Sequence, residues 1–339
     1  LFALTLLTPL IISYFIAQKL INKTAPASST NLIIVQPNID PYGKFNENNA
    51  AAQIQLLIDL SEKQIDSSTR LIIWPETAMS VAELQNNIQN NLYYQPIFKF
   101  LHRHPSITLL SGIETYVNYQ TIKATNTARK TPDGNYYDAF NASVYIKSNE
   151  ALQFYNKGKL VPGVESLPSF LNFMGPVFEK FGGTAGGYGK SDSSSVFQVK
   201  DNPYVAAPII CYESIYGEYV ASYVAKGANL LCIITNDGWW GNTPGHKQHL
   251  AYASLRAIET RRWVARSANT GISAVIDPAG KILETRAWDT PAIIKYAIPT
   301  STEISFYVQY GDWLYKITSL LALLFIGWRG YRIIRMKIK

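Results

Sequence analysis

The 339-residue sequence predicts an α/β domain flanked by two transmembrane helices. Three observations carry that expectation: short β-branched runs alternate with longer helical segments, an uncharged apolar stretch opens the chain, and a second apolar stretch followed by basic residues closes it.

The opening stretch has no charged side chain through residue 18 and is mostly Leu, Ile, Phe and Ala as far as residue 21. Roughly 20 such residues cross a bilayer as a helix, so a transmembrane helix is expected over 1–21. A signal peptide is the competing reading, since Ala25-Pro26-Ala27 resembles a cleavage site, but the run is long for one and lacks a basic start. Because the first residue is Leu, the segment is expected to be the last helix of an incomplete N-terminal membrane domain.

At the other end, the apolar run over 313–328 is interrupted only by Lys316, and Tyr307, Tyr310, Trp313 and Tyr315 stand at its start as an interfacial aromatic belt would. A C-terminal transmembrane helix with a basic tail is expected over 312–334, the alternative being a buried helix of a soluble domain. Arg329, Arg332, Arg335, Lys337 and Lys339 follow the apolar run and favour a cytoplasmic C-terminus, which puts a catalytic domain over 30–305 on the extracytoplasmic side. They also account for part of the net charge of +7, which argues against reading that excess as a nucleic-acid surface.

Within the middle, strands are expected over 31–36, 71–74, 108–112, 142–146, 206–210, 230–235 and 272–276. Helices are expected over 48–62, 81–102, 214–226 and 247–263. Strands apolar on both sides of the alternation imply a sheet covered on both faces. The glycine-rich run at 182–189 (GGTAGGYG) reads as a mobile loop inside this domain.

Two cysteines exclude a disulfide-rich scaffold, and the four histidines have no zinc-site spacing with them, so no metal is expected. Cys211 follows an apolar strand and precedes a predicted helix, a turn where backbone N–H groups and the positive helix end lower a thiol's pKa and favour a nucleophile. A buried structural cysteine is the bland alternative there, and it is the natural reading of Cys232 in LLCII. Glu76 ends a strand behind Pro75, at the carboxyl edge where open α/β sheets place ligands, and suits either a general base or a helix-end charge. Lys157, in YNKGKLVP with Glu165 eight residues on, could stabilise an oxyanion or simply face solvent. A Cys–His protease fits less well, since no histidine has an obvious orienting partner in sequence.

In order, the runs VQPNI with Lys44-Phe45, WPETA, YNKGKLVP with Glu165, ICYES, TNDGWWGNTPGHKQH, AIETRRWVARSANTGISAVIDPAG and FYVQYGDW resemble the nitrilase superfamily, most closely its apolipoprotein N-acyltransferase family. That resemblance implies a nitrilase-like αββα sandwich. It also implies Glu76 as general base, Lys157 as the oxyanion lysine, Cys211 as nucleophile, and Glu165, Tyr212 and Glu213 as supporting residues. The family often reads PFGE where this chain has Pro162-Gly163-Val164-Glu165, and a tryptophan is common where Phe45 stands, which bears on how a lid or acyl chain packs.

The activity implied is transfer of a fatty acyl chain from a membrane phospholipid, through a thioester, to the α-amino group of a diacylglyceryl-modified apolipoprotein. It needs no cofactor. The setting implied is the bacterial cytoplasmic (inner) membrane, multi-pass, with the site periplasmic, the protein a monomer and the 182–189 loop a candidate gate. A membrane-anchored carbon-nitrogen hydrolase using the same three residues is the competing enzyme, and a catalytically dead binding module the competing class.

Overall fold

The computed structural model describes residues 7–8, 10–16, 18, 30–166 and 187–338. Residues 10–16 are helical with exposed side chains, while most of the expected 1–21 helix and residues 182–186 of the glycine-rich run lie outside the described residues.

Two sheets form the core. The first runs β13 (Ala292–Tyr296), β1 (Asn31–Gln36), β2 (Thr69–Ile73), β4 (Thr108–Gln120), β6 (Tyr136–Lys147) and β5 (Arg129–Lys130), with β3 (Met79–Leu84) beside β4 and β7 (Gln153–Asn156) beside β6. The second runs β12 (Ile282–Thr285), β11 (Ala274–Ile276), β10 (Trp263–Ala268), β9 (Leu230–Thr235) and β8 (Ala206–Ile210). β1, β2 and β4 are mutually parallel at the centre of one sheet, as are β8, β9 and β10 in the other.

Alternation along β1 explains the layering. Ile33 and Val35 join an apolar cluster with Ile54, Leu57 and Ile58 of helix α1 (Glu47–Glu62) and Ile97 and Phe100 of α2 (Gln95–Arg103). Leu32 and Ile34 point the other way, into a cluster that takes Ile209, Ile233 and Val264 from the second sheet, Val220 and Val224 from α3 (Gly217–Ala225) and Ala253 and Ala257 from α4 (Gly245–Thr260). The order is therefore helix, sheet, sheet, helix, a nitrilase-like α/β sandwich. Each fully buried Ile or Leu contributes about 1.5–3 kcal/mol, so one continuous apolar run stabilises two interfaces at once.

The expected helix over 81–102 is instead β3, two short 3-10 turns and α2. The run QNNIQNN competes with helical hydrogen bonding through its side chains: Asn91 Oδ1 accepts from the Tyr93 N–H, and α2 begins only where Pro96 is tolerated in a first turn. The helix expected over 247–263 ends at Thr260, because Arg261 takes a left-handed φ of 57°. The chain then enters β10, whose Arg266 and Ser267 disguise a fully buried central strand.

Beyond α5 (Phe306–Tyr310), α6 runs Trp313–Ile338, past the expected end at 334, since Arg, Lys and Met continue a helix readily. Over Trp313–Met336 it is long and apolar enough to cross a membrane, with none of its apolar window buried against the protein. Among the described residues it is alone in this.

Candidate active site

The carboxyl ends of β2 and β8 and the end of β7 meet at one place. Trp74 donates its N–H to the Leu110 carbonyl (2.8 Å) and Gly112 donates to the Pro75 carbonyl (3.1 Å), so Glu76 is carried as a continuation of β2 beside β4. The approach needs a glycine at 112: a Cβ there would lie 2.3 Å from the Thr77 nitrogen and 2.6 Å from the Glu76 Cα. Lys157 follows β7 and is registered by its own N–H on the Asn141 carbonyl (2.9 Å). Cys211 follows β8 directly and is held at φ 48°, in the left-handed region.

Glu76, Lys157, Glu165 and Cys211 are all buried. Lys157 Nζ donates to Glu165 Oε1 at 2.8 Å and to Glu76 Oε1 at 3.2 Å. The turn Pro162-Gly163-Val164 delivers Glu165: its Oε2 accepts the Val161 N–H (2.8 Å) and Gly163 takes a φ of 84°. Burial opposes the lysine's charge, but Glu165, Glu76 and the Cys211 sulfur together hold it well above the ordinary lysine range. The site thus favours the ammonium form of Lys157 between Glu76 and Glu165.

Burial pushes the Cys211 thiol up from its ordinary value and the Glu76 charge adds to this, with Lys157 pulling the other way and Asp237 adding a further rise. The depressed thiol pKa expected from the turn is therefore not realised, because burial and the Glu76 charge outweigh the pull of Lys157. A thiol in such a setting becomes a nucleophile only with a base beside it. Glu76 and Lys157 are both near enough for their charges to act on that thiol. Cys232, by contrast, is a fully buried free thiol within β9.

Glu213 ties the loops together. Its Oε1 accepts from the Gly158 N–H (2.6 Å) and Tyr155 hydroxyl (2.5 Å), and its Oε2 from the Ile210 N–H (2.8 Å), clamping the end of β7 to the end of β8. Burial raises its pKa to about 7, partly offset by these donors. Tyr212 is placed by an edge contact with Tyr216, ring centroids 5.5 Å apart.

Four further residues enter the site to which sequence reasoning had given no role. Asn141 Nδ2 donates to both Glu76 Oε1 (2.8 Å) and Glu165 Oε1 (2.9 Å), and the Asn236 N–H donates to Glu76 Oε2 (3.0 Å). Lys44 Nζ, fully buried beside half-exposed Phe45, grips the Glu76 carbonyl (2.8 Å) and Thr77 Oγ1 (2.9 Å). His249, which has no orienting neighbour in sequence, has one in space: its Nδ1 lies 2.9 Å from Asp237 Oδ1. A polar residue inside the apolar run FNASV was the one local signal for Asn141. Among the described residues no group of three or more His, Cys, Asp and Glu is arranged to hold a metal.

The site thus holds a buried thiol under the charges of Glu76 and Lys157 on a four-layer sandwich. An apolipoprotein N-acyltransferase from Chlorobaculum tepidum is 31% identical over 300 residues, covering 86% of this chain and 55% of that protein. The chain thus spans about half the length of the curated relatives it matches. Among solved structures, a CN-hydrolase superfamily protein from Xanthomonas campestris superimposes with a TM-score of 0.52 at 18% identity, over 80% of this chain and 90% of that one. An amidase from Nesterenkonia sp. AN1, with an adduct on its active-site cysteine, gives a TM-score of 0.54 at 15% identity, over 90% of this chain and 99% of the other. Carbon-nitrogen hydrolase sequence features match residues 19–306, most of the chain, and the chain belongs to the carbon-nitrogen hydrolase family.

Proposed function

We propose that this chain is the catalytic part of an apolipoprotein N-acyltransferase, with Cys211 as nucleophile, Glu76 as general base and Lys157 as the oxyanion lysine. The observation that carries the reading is a thiol under the charges of Glu76 and Lys157 in a chain whose α6 is of membrane length. Apolar surface at the site points the same way: Trp239 and Trp240, on the turn after Asn236, are exposed, and Tyr42 packs edge-on to Trp239 at 5.4 Å. Such a rim suits acyl chains rather than small polar amides.

In the first half-reaction Cys211 Sγ attacks an ester carbonyl of a phospholipid while Glu76 takes the thiol proton. Lys157 stabilises the oxyanion. The C–O bond breaks, Glu76 returns the proton to the leaving oxygen, and a lysophospholipid departs from the thioester. In the second, the α-amino group of a diacylglyceryl-modified lipoprotein attacks the thioester, Glu76 takes the amine proton, the C–S bond breaks and the proton returns to sulfur. The protein works as a monomer in the bacterial inner membrane, between an N-terminal helix over 1–21 and α6, with the 30–305 domain periplasmic. The basic residues from Arg329 onward lie on the cytoplasmic side.

The test is mass spectrometry of the chain after incubation with phospholipid, followed by addition of a diacylated lipopeptide. An acyl mass on Cys211 that passes to the peptide amine is expected, absent in Cys211→Ala and strongly reduced in Glu76→Ala and Lys157→Ala. Amide hydrolysis without transfer would replace this reading with a membrane-anchored hydrolase.

A further inference from the structure

Cys211 sits at φ 48°, a strained conformation for a residue with a Cβ, which persists only where the surrounding structure holds it. Its carbonyl is held by buried side chains. The Cys211 carbonyl accepts from Ser214 Oγ at 2.8 Å and lies 3.1 Å from His249 Nε2, which is also 2.8 Å from Ser214 Oγ. His249 Nδ1 is set by Asp237 Oδ1 (2.9 Å), which also accepts from Thr235 Oγ1 (2.9 Å). Asp237 Oδ2 accepts from Arg266 Nη2 (2.8 Å), and Arg266 Nη1 is fixed on the Ile272 carbonyl (2.6 Å).

Every side chain in this chain of contacts is more than nine-tenths buried. Buried ion pairs of this kind stabilise a fold no better than apolar residues of the same volume, so packing alone does not account for this one. Nor does the histidine sit as the base of a Cys–His pair, since both ring nitrogens are engaged by other oxygens. Its reach runs from the ends of β9 and β10, the rigid centre of the second sheet, to the peptide that aims the sulfur.

We propose that His249, braced by Asp237 and Arg266, is a positioning residue whose Nε2 holds the Ser214 hydroxyl against the Cys211 carbonyl and so keeps the thiol in its attacking orientation. The proposal rests on Cys211 being the nucleophile, but not on which acyl donor or acceptor is used.

The test compares His249→Gln with His249→Met in the full chain in detergent, a pair of similar length that differs in the polar amide. The probe is p-nitrophenyl butyrate, an ester that acylates the thiol with release of p-nitrophenol. Burst amplitude reports the fraction of competent sites, and burst rate reports how well each is aimed. The Met variant is expected to burst about 100-fold more slowly at full amplitude and unchanged KM, with the Gln variant recovering to within about tenfold of the parent. A Met variant of normal burst rate but reduced amplitude, a Gln variant no faster than Met, or loss of folding in both would assign His249 to the fold alone and overturn the proposal. A parent that bursts with the ester yet never acylates a lipopeptide would overturn the acyltransferase reading while leaving this one standing.

Discussion

Asn141 Nδ2 stands 2.8 Å from Glu76 Oε1, a direct amide-to-carboxylate contact between strands that enter the site from the same sheet. The same amide nitrogen reaches Glu165, so one neutral side chain spaces two carboxylates that share Lys157. Hydrogen bonds to charged groups contribute about 1.5–3 kcal/mol, so Asn141→Ala is expected to slow Cys211 acylation roughly 10- to 100-fold. Asn141→Asp should be slower still, because it adds a third carboxylate beside one ammonium. Burst kinetics on folded variants check this, and rates at the parental level would show that Glu76 is held without Asn141.

Gly112 is where the β4 backbone passes Glu76 and Thr77 with no room for a side chain. Gly112→Ala should push the Glu76 peptide away from Lys157, since the atoms in the way are backbone rather than a flexible tip. Expected is a loss of stability of about 1–3 kcal/mol, as for other overpacked sites, with a larger proportional loss of acylation. Thermal unfolding alongside burst kinetics separates the two, and parental acylation by this variant would contradict the close approach.

Glu213 satisfies buried donors from both sides of the site, including the Gly158 and Ile210 N–H groups. Glu213→Ala leaves them without an acceptor and should cost about 3–5 kcal/mol. Glu213→Gln keeps one acceptor oxygen and should cost less. Denaturant unfolding of the two variants gives the comparison, and equal stability would mean that the clamp contributes nothing beyond volume.

Lys44 carries a distinct pH signature. Burial lowers its pKa to about 7, against a partial rise from Glu76. The unfolded chain, with an ordinary lysine near 10.5, therefore binds more protons than the folded one between pH 7 and 10.5, and this residue's contribution to stability rises with pH across that window. The stability of the parent minus that of Lys44→Met should rise by up to about 1.4 kcal/mol per pH unit above 7, levelling off towards 10.5. Glu213 has the opposite slope in a lower window: its folded pKa of about 7 exceeds the ordinary 4.5, so its contribution is complete below about 4.5 and declines as pH rises towards 7. A stability gap between parent and Lys44→Met that stays flat from pH 7 to 10 would exclude a neutral amine at this position.

The sites most legible in sequence were those where chain neighbours decide the outcome. Pro75 after an apolar run marks a strand end, and Ile209-Ile210 before Cys211 marks another, so Glu76 and Cys211 could be placed at sheet edges from a few residues each. Where polar residues are buried, local reading failed. β10 carries Arg266 and Ser267 at full burial, offset by Asp237 and the Val35 carbonyl, partners that its own run does not contain.

The sequence alone determined the alternation of strands and helices, the apolar segment that becomes α6 and the strand-end setting of Glu76 and Cys211, because backbone preference and apolar period act over a turn or a strand. Only the tertiary structure decided that Lys157 meets Glu76 from 81 residues away, that Asn236 closes on it from 160, and that His249 serves the Cys211 carbonyl rather than its sulfur. Those contacts depend on strand order and register across two sheets, and a hydrogen bond of this kind forms only once packing has fixed both partners to within a fraction of an ångström.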